Sequence, residues 1–176
     1  MRVGITGASG MLGSMLVSHL SESYKVFATS RNKSVEGKNI DWDCFDLTDI
    51  KLLDEWLDKV KPDIVIHCAA IVNVDFCEEN VELVTRLCVE TTRVMADYLD
   101  SNGGRLIYIS TDSVFDGENQ GAYSESDLVG PLNVYAKSKL MGEEFVQSMN
   151  YGLTLRTNII GWTKKGNTSF AEWILK

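Results

Sequence analysis

Thr6-Gly7-Ala8-Ser9-Gly10-Met11-Leu12-Gly13 is the stretch on which the reading of this chain turns. It succeeds a short β-rich run, Arg2–Thr6, and opens a segment, Met11–Glu22, in which Met11, Leu12, Met15, Leu16 and Leu20 recur at helical spacing. In that strand-turn-helix setting each glycine has its own task. Gly7 permits the tight turn, Gly10 removes a side chain so that a pyrophosphate can approach the backbone, and Gly13 lets the helix pack closely on the sheet. Unpaired N–H groups and the positive end of the helix dipole favour an anion at that point. Gly7, Ser9, Gly10, Met11, Leu12 and Gly13 are therefore expected to hold the phosphates of a dinucleotide. The competing reading is a glycine-rich turn without a ligand. It is weakened by the position of the turn at the first strand and by the Tyr135 and Lys139 pair farther along the chain.

Beyond this turn, strand-like and helix-like stretches alternate. Lys25–Thr29 and Ile40–Asp43 read as strands, and Thr48 is the expected N-cap of a helix carrying Leu52, Leu53, Trp56, Leu57 and Val60 on one face. Lys61-Pro62 ends that helix, and Asp63–Cys68 is an apolar run expected to be buried on both faces. Glu78–Asp100 has a helical pattern over about six turns, stopped by Asn102-Gly103-Gly104. Arg105–Ser110 reads as a strand, Asn133–Asn150 as a helix and Leu153–Ile159 as a last β-rich run. Strands alternating with helices of this length predict an α/β fold of the Rossmann type, a doubly wound parallel sheet spanning residues 1–176 as one domain. Ala171–Lys176 reads as the opening of a helix that is cut off, so the C-terminal substrate domain is expected to be missing or truncated.

Composition narrows the classes of partner. With 176 residues, 44% hydrophobic and 24% charged, the chain is long enough to bury a sizeable core. A net charge of −8 opposes binding to nucleic acid or an anionic membrane surface, although backbone N–H groups and a local cation still suit a small anionic cofactor. No apolar run approaches the ~20 residues that span a bilayer. Cys44, Cys68, Cys77 and Cys88 form no C-x-x-C pair, and no basic-then-apolar signal segment opens the chain, so reduced thiols in a cytoplasmic protein are expected.

Cofactor choice is read after the second strand. An acidic residue there would accept from the ribose 2′-OH of NAD, but the sequence is Thr29-Ser30-Arg31. Arg31 suits a 2′-phosphate and stacking near adenine, which favours NADP(H) with NAD(H) as the weaker fit, unless Arg31 is simply a solvated surface side chain. Asp46 and Leu47 are placed to meet the adenine edge; alternatively Asp46 and Thr48 cap the following helix.

Tyr135 and Lys139 lie four residues apart on one face of the predicted helix. A cation beside a phenol lowers its pKa from ~10, so Tyr135 is placed to give a proton to a carbonyl oxygen as hydride arrives, with Lys139 reaching the nicotinamide ribose. Ser110-Thr111 closes the preceding strand and brings a hydroxyl to the end of the sheet where open α/β folds bind ligands. Tyr-x-x-x-Lys alone is a weak motif; downstream of a phosphate turn and a strand ending in Ser-Thr, the joint pattern is strong.

Taken together these segments resemble the extended short-chain dehydrogenases, and within them the dTDP-4-dehydrorhamnose reductase family. The resemblance rests on Ile5–Gly13, on Cys68-Ala69-Ala70 with Asn73-Val74-Asp75 and Cys77-Glu78, and above all on Ile109–Gly117. Pro131–Tyr135, Lys139–Glu143 and Leu155-Arg156-Thr157 complete it. It implies an NADPH-using reductase of a nucleotide-linked 4-keto sugar, with Tyr135 as acid, Lys139 as its partner, Thr111 holding the keto oxygen, and Ala69, Ala70 and Ile71 lining the cofactor. It also implies pairing of the helices from Glu78 and Asn133 in a homodimer. Dehydratases of the superfamily show Asp-Glu where this chain has Asp112-Ser113, which disfavours dehydration. Two departures stand out: Cys88 occupies a place where relatives often carry Asn, and family members continue well past this length. Two other readings compete. A non-catalytic NADP-binding regulator, like the regulatory subunit of methionine adenosyltransferase, resembles the same reductases, whereas an epimerase that retains its nicotinamide predicts NAD and is opposed by Arg31.

Overall fold

Six β-rich runs assemble into one sheet, and all its strands are parallel. They are β1 (Arg2–Thr6), β2 (Lys25–Ser30), β3 (Ile40–Cys44), β4 (Ile64–His67), β5 (Arg105–Ser110) and β6 (Gly152–Arg156), hydrogen-bonded in the order β3-β2-β1-β4-β5-β6. The central strands β1, β2 and β4 are buried on both faces, while the edge strands β3 and β6 are more exposed. The computed structural model describes residues 1–33 and 35–162. The order reverses between β1 and β4, the switch point at which doubly wound sheets open a ligand crevice. The Rossmann expectation is met. The helix read from Ala171–Lys176 lies outside the described residues.

Helices α1 (Met11–Leu20), α2 (Ile50–Val60), α3 (Val74–Glu79), α4 (Val81–Thr85), α5 (Thr91–Ser101) and α6 (Val134–Gln147) flank the sheet. One apolar layer packs α1 through Val17 on Val3, Ile5, Val26 and Ile66. The other packs Leu53, Trp56 and Leu57 of α2 and Met95 and Leu99 of α5 against Val65, Leu106 and Tyr108. Burial on both faces is what a parallel sheet with crossover helices requires.

Several boundaries differ from the sequence reading. Asp49, not Thr48, caps α2: its side chain accepts from the backbone N–H of Leu52, while Thr48 turns back onto Asp46. The long helix begins earlier, because Asn73 caps it through the N–H of Phe76, and it is interrupted at Asn80 and by a π-helical turn over Arg86–Glu90. Asn133 is the cap of α6 and not its first residue, and β6 ends at Arg156 rather than Ile159.

Candidate active site

The turn after β1 is shaped as its glycines demand. Gly7 adopts a left-handed φ of 63°, and a Cβ on it would lie 2.6 Å from the backbone nitrogen of Ala69, so only glycine lets this turn press against the exit of β4. A Cβ on Gly13 would overlap the Gly7 carbonyl oxygen and sit 2.8 Å from the Ala8 Cα, so the first turn of α1 seats directly on the loop. Gly10 caps α1 with no side-chain hydrogen bond, which leaves the first backbone N–H groups of the helix to an outside acceptor.

A groove opens from that turn. Gly7, Ser9, Gly10, Arg31, Asp46, Leu47, Ala69, Ala70 and Ile71 line it together, as read from the sequence. Ser30, Phe45, Thr48, Cys68, Leu83 and Leu87 also line it, and none of these carries a sequence signal for cofactor contact. Met11 and Gly13, also read from the sequence, are not among the residues lining it, and the Leu12 side chain points to the opposite side of α1, into an apolar groove with Leu16, Ile107 and Leu155. Leu12 is thus not a groove-lining side chain, because position 12 faces the sheet. At one end Arg31 is exposed and forms no ion pair with any described residue. Asp46 is held below the usual carboxylate range, chiefly by the backbone N–H of Thr48; burial opposes that, and the Thr48 hydroxyl and then the Arg31 charge add to the lowering. The groove residues fit a dinucleotide with an extra phosphate near Arg31: a bare helix N-terminus, a close-approach turn and a free cation at the expected end.

The far end of the groove reaches the expected catalytic group through Cys68, whose thiol burial pushes up to about 12 while the nearby Lys139 pulls it back. Thr111, buried at the end of β5, accepts from the N–H of Ser113 and stands beside the Tyr135 phenol. Burial raises the Tyr135 pKa above its ordinary value, and the Thr111 hydroxyl partly opposes that rise. Lys139 does not supply the lowering expected from the sequence. Its ammonium lies 3.9 Å from the centroid of the Tyr108 ring, on the core side of α6, where burial pushes its pKa down to about 8 against the pull of Cys88, Cys68 and Glu143. The four-residue spacing does place Tyr135 and Lys139 on one face; it does not make them a contact pair.

Beneath this group lies a polar layer that the sequence did not announce. His67, fully buried on β4, shares a hydrogen bond with Thr6 (Oγ1 to Nδ1, 2.5 Å) and faces the Thr91 hydroxyl with Nε2 at 3.4 Å. Glu143, one turn beyond Lys139, accepts from the Ser110 hydroxyl and from Arg156 through Nη2 at 2.7 Å and Nε at 3.1 Å. No group of His, Cys, Asp and Glu suited to a metal occurs among the described residues.

Residues 1–175 match the family described as the RmlD substrate binding domain. The chain belongs to that family. Among relatives of this RmlD-family chain, the probable low-salt glycan biosynthesis reductase Agl14 of Haloferax volcanii is 35% identical over 175 residues, covering 97% of this chain and 58% of that protein. Subunit beta of methionine adenosyltransferase 2 from Xenopus laevis is 34% identical over 152 residues, 86% of this chain and 44% of that protein. A hypothetical dTDP-4-dehydrorhamnose reductase from Sulfolobus tokodaii superposes with a TM-score of 0.87 at 36% identity, over 99% of this chain and 60% of that one. The dTDP-4-dehydrorhamnose reductase of Bacillus anthracis in complex with NADP gives 0.81 at 31% identity, over 99% and 58%. The RmlD-family chain therefore spans well under two thirds of the length of each.

Proposed function

We propose that this chain carries the cofactor-binding and proton-donating half of an NADPH-dependent reductase that acts on a nucleotide-linked 4-keto sugar. The observation that carries the reading is one continuous groove. It starts at the uncapped N-terminus of α1, passes Arg31 at its adenosine end and ends at Cys68, next to the buried Lys139. Names of relatives agree with it, since the Haloferax, Sulfolobus and Bacillus proteins are called reductases and the Bacillus structure holds NADP.

In this reading Thr111 receives the keto oxygen and Tyr135 donates its phenolic proton to it, so that C=O becomes CH–OH as the keto carbon gains hydride. NADPH, when bound, supplies that hydride from its reduced nicotinamide. Gly7, Ser9, Gly10 and the N–H groups of Met11, Leu12 and Gly13 hold the pyrophosphate, Arg31 the 2′-phosphate, Asp46 and Leu47 the adenine edge, and Ala69, Ala70 and Ile71 the nicotinamide half. Lys139 would reach the nicotinamide ribose beside Tyr135 by turning its ammonium away from the Tyr108 ring, over which it rests at 3.9 Å from the centroid. NAD(H) lacks the group that Arg31 recognises and is the weaker ligand.

The remaining parts of the reading concern the surroundings. Phe76 on α3, Val81 on α4 and Met141 on α6 are exposed apolar side chains on helices that pack together, which supports a homodimer through those helices. The proposed setting is the cytoplasm, where a nucleotide sugar is dissolved; no helix among the described residues is long and apolar enough to cross a membrane. The test is steady-state oxidation of NADPH, followed by absorbance, with dTDP-4-dehydrorhamnose as substrate and the protein at its natural length. Turnover that disappears in Tyr135→Phe is the expected result. Tight NADPH binding with no oxidation by any 4-keto sugar nucleotide would sink the reductase and favour the second reading. That reading, a non-catalytic NADP-binding subunit, is supported by the likeness to the methionine adenosyltransferase 2 beta subunit.

A further inference from the structure

We propose that Glu143 is a positioning residue, a buried carboxylate that clamps the helix bearing Tyr135 and Lys139 to the strand end bearing Thr111. This rests on the reductase reading for its kinetic consequence.

Three elements meet at this side chain. Glu143 lies on α6, four residues past Lys139 and eight past Tyr135, so all three fall along one stripe of the helix. From β5 the Ser110 hydroxyl donates to Oε1, and Ser110 is the residue immediately before Thr111. From the end of β6 the Arg156 guanidinium donates to both oxygens, with Nη2 at 2.7 Å from Oε2. Arg156 is itself held over the Phe115 ring at 5.1 Å and to the carbonyl of Glu125 at 3.3 Å. One carboxylate thus fixes where α6 stands relative to the acceptor side of the site.

Stability alone does not account for the arrangement. Glu143 is 6% exposed, and a carboxylate buried to that degree, with its partner guanidinium also mostly buried, loses most of its hydration. Such pairs often contribute less to stability than apolar side chains of the same volume, whereas they fix one register with hydrogen-bond directionality. The register here is the separation of the Tyr135 phenol from the Thr111 hydroxyl, to which proton transfer is sensitive at the scale of an ångström.

The experiment uses the full-length protein, NADPH and dTDP-4-dehydrorhamnose, with Glu143→Gln and the milder Ser110→Ala. Active sites are counted by NADPH titration, so loss of folded protein does not enter the rate. The expected result for Glu143→Gln is a kcat per NADPH site lower by about 10- to 100-fold, with the NADPH Kd and the sugar KM changed less than about threefold. Ser110→Ala is expected to lower kcat in the same sense by a smaller factor. An unchanged kcat per site in both variants overturns the proposal. A second readout is independent of turnover: the ultraviolet ionisation curve of Tyr135, obtained by difference against Tyr135→Phe, should move to higher pH in Ser110→Ala, which leaves the Glu143 charge in place, as the Thr111 hydroxyl withdraws. An unmoved curve overturns the clamp even where the parent reduces no sugar, and a moved curve with an inactive parent retains the clamp while removing the reductase.

Discussion

His67 shows what a single buried side chain contributes beneath the site. It sits between the Thr6 and Thr91 hydroxyls with no carboxylate partner, so the imidazole is stable only when neutral, and burial with the nearby Lys139 charge pushes its pKa down to about 3. That fixes the sign of the pH dependence. The unfolded chain takes up a proton near pH 6.5 and the folded one only near 3, so His67 favours the fold fully above 6.5 and loses that contribution as pH falls from 6.5 toward 3. The unfolding free energy from urea titration should drop through that window with a slope of up to about 1.4 kcal/mol per pH unit from this group alone. Substituting Gln for His67 should flatten that slope; an identical pH dependence in the variant would show that His67 is not the titrating group. The sequence offered no warning of this residue, since a histidine closing an otherwise apolar strand carries no spacing signal. By contrast Thr111, Tyr135 and Arg31 were legible because each stands at a fixed offset from an element end.

At the scale of elements, the approach of α6 to β5 decides where Tyr135 and Lys139 stand relative to Thr111. Gly142 makes it: a Cβ there would overlap the Tyr108 hydroxyl and lie 3.1 Å from the carbonyl oxygen of Cys88. The same closeness lets Lys139 reach the Tyr108 ring. Gly142→Ala should therefore force α6 outward and cost about 1–3 kcal/mol, despite the better helix propensity of alanine. Equilibrium urea unfolding checks it, and a variant as stable as the parent would mean that the two elements yield without strain. Strong periodicity made α1, α2 and α6 readable from sequence, together with every strand. The broken stretch from Val74 to Ser101 was not readable, because its apolar pattern continues across the breaks while local polar groups make them. Asn80 leaves helical geometry and donates to the Phe76 carbonyl, and the Thr91 and Thr92 hydroxyls bond back to the carbonyls of Leu87 and Cys88 at 2.5 and 2.7 Å around the π-helical turn. The orientation of Lys139 escaped for the same kind of reason. Spacing places a side chain on a face, and only packing against Tyr108 decides where its end lies.

At the scale of the whole molecule, the groove joins β1, β2, β3, β4 and the start of α1, so a ligand filling it holds both halves of the sheet across the switch point. Binding that favours the folded state must then appear as global stability. At a concentration 100 times its Kd, NADPH should add about 2.7 kcal/mol. For a chain of this size that corresponds to roughly 5–10 °C in the thermal midpoint. NADH at the same concentration should shift it less, because Arg31 finds no 2′-phosphate to pair with. Arg31→Ala should bring the two nucleotides together by weakening NADPH about 10- to 100-fold, the range of a charge-assisted contact, while leaving NADH nearly unchanged. Calorimetry with both nucleotides on both proteins separates the contributions. Equal shifts by NADPH and NADH in the parent would remove Arg31 as the selector, and no shift by either would remove the dinucleotide from the groove, since the turn at Gly7–Gly13 would then be only a tight connection between strand and helix.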